Sequence, residues 1–80
     1  MRIDYYTADW CKPCQSYKPV VKSLSEEMGF KLNFIDVDRD DTMINIFSVP
    51  TLAVYKGDVY IKSIVGAYPE SKLREELASV

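Results

Sequence analysis

The chain contains no histidine. That absence removes imidazole acid–base chemistry, Cys–His nucleophiles and histidine metal ligands together. Neither sign of charge is in large surplus. Ten basic against twelve acidic residues leave a net −2, which offers no electrostatic footprint for nucleic acid or an anionic membrane. No apolar run is long enough to span a bilayer, and the opening MRIDYYTADW lacks the apolar core of a secretory leader. A cytoplasmic protein with no membrane or nucleic-acid partner is therefore expected. Repeats and low-complexity tracts are also missing. Cysteine is scarce, with two in 80 residues, and both fall in one stretch, ADWCKPCQ.

What is present suits a single packed domain over residues 1–80: 48% of residues are hydrophobic and 28% charged. Residues 2–6 (RIDYY) read as a strand leading into a loop at residues 7–9. From Cys11 the pattern turns helical, with Tyr17, Val21, Leu24 and Met28 at steps of four, three and four. Gly29 is the expected stop, and Pro19 lies inside the helix, where it removes a backbone hydrogen bond. Residues 32–37 (LNFIDV) form a second strand. Asp38–Asp41 can cap a short helix over residues 42–47. Residues 51–55 and 59–65 are strands joined through Lys56, Gly57 and Asp58, and Gly followed by Asp fits a type II′ hairpin. Pro69 opens a last helix whose Leu73, Leu77 and Val80 make an apolar stripe.

The order is β-α-β-α-β-β-α. The first two strands, linked through a helix, should be parallel neighbours with a right-handed crossover, and the closing hairpin antiparallel. The expected fold is α/β, a four-stranded mixed sheet with helices on both faces.

The cysteine pair admits several readings. A structural zinc site needs four Cys or His ligands, and two cysteines without histidine would require a dimer, so no metal is expected. Two inert buried cysteines fit poorly at a helix start behind a loop. A permanent staple is out of place in a reducing compartment, and so short a loop adds less stability than a long one would. A redox pair fits the position. If Cys11 caps the helix, its sulfur faces free N–H groups and the positive end of the dipole, which lowers a thiol pKa from about 8.5 toward 7 or below. Lys12 adds a nearby cation, and Pro13 restricts the loop. Cys14, one turn on, is within disulfide reach but more shielded. The asymmetry suits attack by Cys11 on a substrate disulfide and resolution by Cys14. The acidic run Asp36-x-Asp38-x-Asp40 imitates a calcium loop, but its sixth position is Asp41 and its twelfth Phe47. It reads as a solvated turn.

WCKPC between a strand and a helix resembles the active site of thioredoxins, usually WCGPC. Pro19 falls where that family kinks its active-site helix. Val49-Pro50-Thr51 resembles the family's Ile-Pro-Thr with its cis proline, and Gly66-Ala67 resembles the remaining lip of the site. The β-α-β-α-β-β-α length is similar to that of glutaredoxins and small phage and archaeal thioredoxins. The resemblance implies a thioredoxin-like fold and a protein-disulfide reductase that needs no cofactor beyond its Cys11–Cys14 disulfide. Its partners would be protein disulfides and a flavin- and NADPH-dependent thioredoxin reductase, with ribonucleotide reductase as one target, and it would act as a monomer. Trp10, Val49, Pro50, Gly66 and Ala67 would form an apolar substrate patch around Cys11. A glutaredoxin-like electron donor and a non-catalytic binding module on the same fold are the alternatives. Two positions depart from the family. Tyr5 stands where a buried aspartate assists the second cysteine, which makes it a candidate for tuning Cys14. Phe34 stands where the family carries a lysine. Asp4, one residue from Tyr5, should point to the opposite face of the sheet.

Overall fold

The computed structural model describes residues 1–38 and 48–80. Its elements are β1 (Arg2–Thr7), α1 (Lys12–Met28), β2 (Lys31–Asp36), β3 (Thr51–Lys56), β4 (Val59–Val65) and α2 (Glu70–Ala78). The strands form one sheet in the order β2-β1-β3-β4, parallel between β1 and β2 and antiparallel elsewhere. β1 is therefore central, and Ile3 through Thr7 are all buried. The two-residue turn at Gly57 and Asp58 closes the hairpin. Gly57 has φ 61 and among the described residues, Asp58 included, no non-glycine residue has positive φ, the signature of a type II′ turn.

Alternation along the strands divides the side chains between two faces. Ile3, Tyr5, Leu52, Val54 and Ile64 point to one face and meet Tyr17, Val21 and Leu24 of α1 and Leu73 and Leu77 of α2. This is the main core, and both described helices lie on that face. Tyr6, Ala53 and Tyr55 cluster on the other, with Ile35, Val37 and Val49 against them. The expected short helix over residues 42–47, and with it the helix expected on that second face, lies outside the described residues. Asp4 also lies on the second face, where it accepts from Asn33 Nδ2 at 3.1 Å and pairs with Arg2 at 3.4 Å.

α1 begins and ends where its sequence signals place it. Cys11 is the N-cap, and Gly29 stops the helix at φ 73. The Phe30 N–H reaches the Ser25 carbonyl at 2.8 Å and the Gly29 N–H reaches that of Glu26 at 3.3 Å, which satisfies two terminal carbonyls at once. Two expectations need adjustment at the C-terminus. Pro69 precedes α2 as its N-cap rather than occupying the first helical position, and Val80 lies beyond Ala78. An exposed Val80 therefore adds nothing to the Leu73–Leu77 stripe.

Candidate active site

β1 delivers the chain to the cysteines. After Thr7 the chain leaves the sheet, and the buried Ala8 turns its carbonyl toward the start of α1. That carbonyl accepts the Cys11 N–H at 3.1 Å and the Gln15 side-chain amide at 3.2 Å. Cys11 has extended backbone angles, φ −90 and ψ 102, so it stands just outside the helix. Its Sγ accepts the Cys14 backbone N–H at 3.2 Å. A cysteine sulfur thus takes the place that a serine or aspartate oxygen fills at other helix starts. Pro13, at the second helical position, lacks only an N–H that the helix would leave unpaired.

Cys11 and Cys14 form a disulfide, with Cα atoms 5.2 Å apart. Cys14 is fully buried, and Cys11 keeps 5% exposure. The expected asymmetry is present, but Cys11 is more enclosed than a loop-side position implied. Ala8, Val37 and Val49 pack around the pair, and the Val49 carbonyl oxygen lies 3.8 Å from Cys11 Sγ. The Val49–Pro50 peptide is cis, as the resemblance implied. Pro50 is buried, and its carbonyl accepts the Gly66 N–H at 2.9 Å. Gly66 has φ 99, and Ala67 beyond it is exposed. That hydrogen bond ties the loop after β4 to the proline beside the disulfide. Lys12 and Pro13 are exposed on the solvent side of the loop.

Trp10 is 68% exposed, so it is no core residue. Its indole N–H donates to Asp38 Oδ2 at 2.7 Å, and the Asp38 N–H in turn donates to Asp36 Oδ1 at 2.9 Å. Asp38 was expected only as part of a solvated, helix-capping turn. Its tie to Trp10, 28 residues away, has no signal in the sequence. Among the described residues no group of side chains could hold a metal ion.

Tyr5 is fully buried, and its hydroxyl donates to the Cys14 carbonyl at 2.7 Å. Burial, followed by the neighbouring Tyr17, pushes its phenol well above the ordinary value of 10. Tyr5 stays neutral near pH 7 and is a donor, not a base. Phe34 meets the Tyr5 ring edge-on at 5.7 Å, and the Lys18 ammonium sits 4.8 Å over the Phe34 ring. A cleft of about 590 Å³ lies on the opposite face of the sheet, lined by Arg2, Asp4, Tyr6, Asn33 and Tyr55 among others. The disulfide has no part in that cleft.

The sequence matches the family profile described as Thioredoxin over residues 2–79. It is 35% identical over 75 residues to the thioredoxin of Bacillus subtilis, covering 88% of this chain and 72% of that one. Among solved structures, a variant of the Halobacterium salinarum thioredoxin superimposes with a TM-score of 0.87 at 31% identity, covering 98% of this chain and 72% of the other. The germline-specific thioredoxin Deadhead of Drosophila melanogaster gives 0.86 at 27% identity, covering 99% and 79%.

Proposed function

The chain belongs to the thioredoxin family and is a thiol–disulfide oxidoreductase working through its own cysteine pair, and from that premise we propose that Cys11 attacks and Cys14 resolves. The observation that carries this order is the asymmetry of the two sulfurs. Cys11 caps α1 and borders the surface at Trp10 and Val49, whereas Cys14 is sealed behind it. In the reduced protein the Cys11 thiolate is stabilised by the Cys14 N–H and the helix N-terminus. It attacks one sulfur of a substrate disulfide. The substrate S–S bond breaks, one substrate thiolate leaves and takes a proton from solvent, and a mixed disulfide forms at Cys11. Cys14 then loses its proton and attacks Cys11 Sγ. The Cys11–Cys14 bond forms, and the second substrate thiol departs. Two electrons have passed to the substrate.

Protein disulfides are the substrates, and a reductase restores the dithiol, as the family implies. The exposed Trp10 indole and the lip at Val49, Pro50, Gly66 and Ala67 serve as the docking surface. The Val49 backbone beside the sulfur offers extended pairing to a substrate strand. Lys12 favours the Cys11 thiolate, and Pro13 restricts the loop. Thioredoxin reductase is the assigned recycling partner and ribonucleotide reductase one eligible target, for a monomeric single domain in the cytoplasm. No helix among the described residues is long and apolar enough to cross a membrane.

Insulin reduction driven by NADPH and thioredoxin reductase, run beside the same assay driven by glutathione and glutathione reductase, tests this assignment. Turnover is expected with the first system and only a small fraction of it with the second. Faster turnover with glutathione would move the protein to the glutaredoxin-like class. Full activity in Cys11→Ser would remove catalysis from the pair.

A further inference from the structure

The turn that carries both cysteines holds the Cys14 N–H on Cys11 Sγ, 3.2 Å away, and the Gln15 N–H on the Cys11 carbonyl at 3.3 Å. Just beyond it, Pro19 has no N–H to offer the Gln15 carbonyl. A further restraint on this turn arrives from the sheet. Tyr5 sits mid-strand in β1, registered against Phe34 on one side and Leu52 on the other. Its ring is gripped by Tyr17 at 6.1 Å and Phe34 at 5.7 Å. The hydroxyl spends its proton on the Cys14 carbonyl at 2.7 Å, in a fully buried position. A carbonyl has two lone pairs, so this bond adds to the helical one.

We propose that Tyr5 is a positioning residue for disulfide exchange: its hydroxyl tethers the Cys14 carbonyl to the central strand, which fixes the backbone of the residue whose own N–H, on the other side of its Cα, is aimed at the Cys11 sulfur. Asp4, the neighbouring acid, lies on the other face of the sheet with Arg2 and Asn33 and does not reach the pair. Tyr5 acts only through the backbone of the residue it holds. Without the tether the N–H loses its aim and the Cys11 thiolate loses part of its stabilisation.

The inference rests on Cys11 being the nucleophile, and the test separates the two. The reduced protein is alkylated with iodoacetamide from pH 5 to 10, and peptide mass mapping identifies the cysteine modified. In Tyr5→Phe, which keeps the ring, the midpoint for Cys11 should rise by about half to one pH unit, the worth of one buried neutral hydrogen bond. For a wild-type midpoint near 7, alkylation at pH 7 should fall about two- to fivefold and converge with wild type above both midpoints. Tyr17→Phe removes a neighbouring buried phenol oxygen and should leave the midpoint unchanged. Replacing Tyr5 by 3-fluorotyrosine keeps the hydroxyl as a stronger donor and should retain or lower the midpoint; this variant decides the matter if Tyr5→Phe does not fold. An unchanged Cys11 midpoint in Tyr5→Phe, or a raised one with 3-fluorotyrosine, overturns the tether. Alkylation of Cys14 before Cys11 in the wild type overturns the nucleophile assignment itself.

Discussion

Reducing the disulfide should lower the stability of the fold, by an amount that follows from the closeness of the two cysteines. They are three positions apart. In the chain-entropy account, closing so short a loop restrains the unfolded state by about 2 kcal/mol. Reduction creates an opposing contribution. A Cys11 thiolate at the N-terminus of α1 stabilises the folded dithiol by about 0.3–1 kcal/mol. The loop contribution wins, leaving the oxidised form ahead by about 1–2 kcal/mol. For a chain of 80 residues that lowers the midpoint of melting on reduction by about 5–15 °C. By the thermodynamic cycle, folding makes the pair about 20–45 mV harder to reduce than the same cysteines in the unfolded chain. This direction suits a donor of electrons near the potential of about −270 mV known for thioredoxin, a stated reference value rather than one worked out from this chain. The assay is a pair of melts at pH 7, followed by circular dichroism, with and without an excess of phosphine reductant. A reduced form that melts at the same temperature or higher would refute the reasoning. It would describe a strong oxidant of the DsbA kind, in which the reduced state is the favoured one.

Alkali should weaken the fold through its buried phenols. Burial holds Tyr5 above its ordinary value and Tyr17 up at about 12. Because the folded values exceed the unfolded value near 10, stability is intact below pH 10 and falls as the pH rises through 12. Urea titrations at pH 9, 10 and 11 check this, and a flat profile contradicts it. Trp10→Ala should change stability by less than about 1 kcal/mol, because the residue is mostly exposed and its bond to Asp38 is a surface one. The same variant should raise KM for insulin, and an unchanged KM removes Trp10 from the docking surface. Gly66→Ala leaves adequate space, with the nearest atom 4.0 Å away on the Tyr68 ring. It must nevertheless adopt φ 99, at a cost of about 1–2 kcal/mol. A melt of that variant matching wild type would show that the turn relaxes freely.

The elements were legible where a local rule decides them. Gly29 ends α1, Gly57 turns the hairpin, and the spacing of Tyr17, Val21 and Leu24 marks the buried face, because each depends on backbone geometry within a few residues. The cysteine pair was legible for the same reason: a helix start, a three-residue step and a neighbouring proline all lie within one turn. What escaped the sequence depends on distant partners. Ser25, polar and outside the stripe of Tyr17, Val21, Leu24 and Met28, is nevertheless buried where α1 packs on the sheet. Asp38 meets Trp10 across 28 residues, and nothing local distinguishes it from Asp36. The identity of Tyr5 was legible as a departure from the family, but its target was not. Reaching a carbonyl rather than a sulfur depends on where β1 lies beneath α1, and that is fixed by packing. Cys11 is more enclosed than its place at a helix start implied, because Val37, just after β2, and Val49, shortly before β3, pack over it.

The central claim, that Cys11 attacks and Cys14 resolves, is tested most directly by trapping the intermediate. Reduced Cys14→Ser and Cys11→Ser are each mixed with a disulfide-containing protein such as insulin, quenched with acid and weighed intact by mass spectrometry. Cys14→Ser should accumulate a covalent adduct through Cys11, because no second thiol remains to release it. Cys11→Ser should accumulate little, because its remaining thiol is buried in the core. An adduct that forms through Cys14 as readily as through Cys11 would contradict the account.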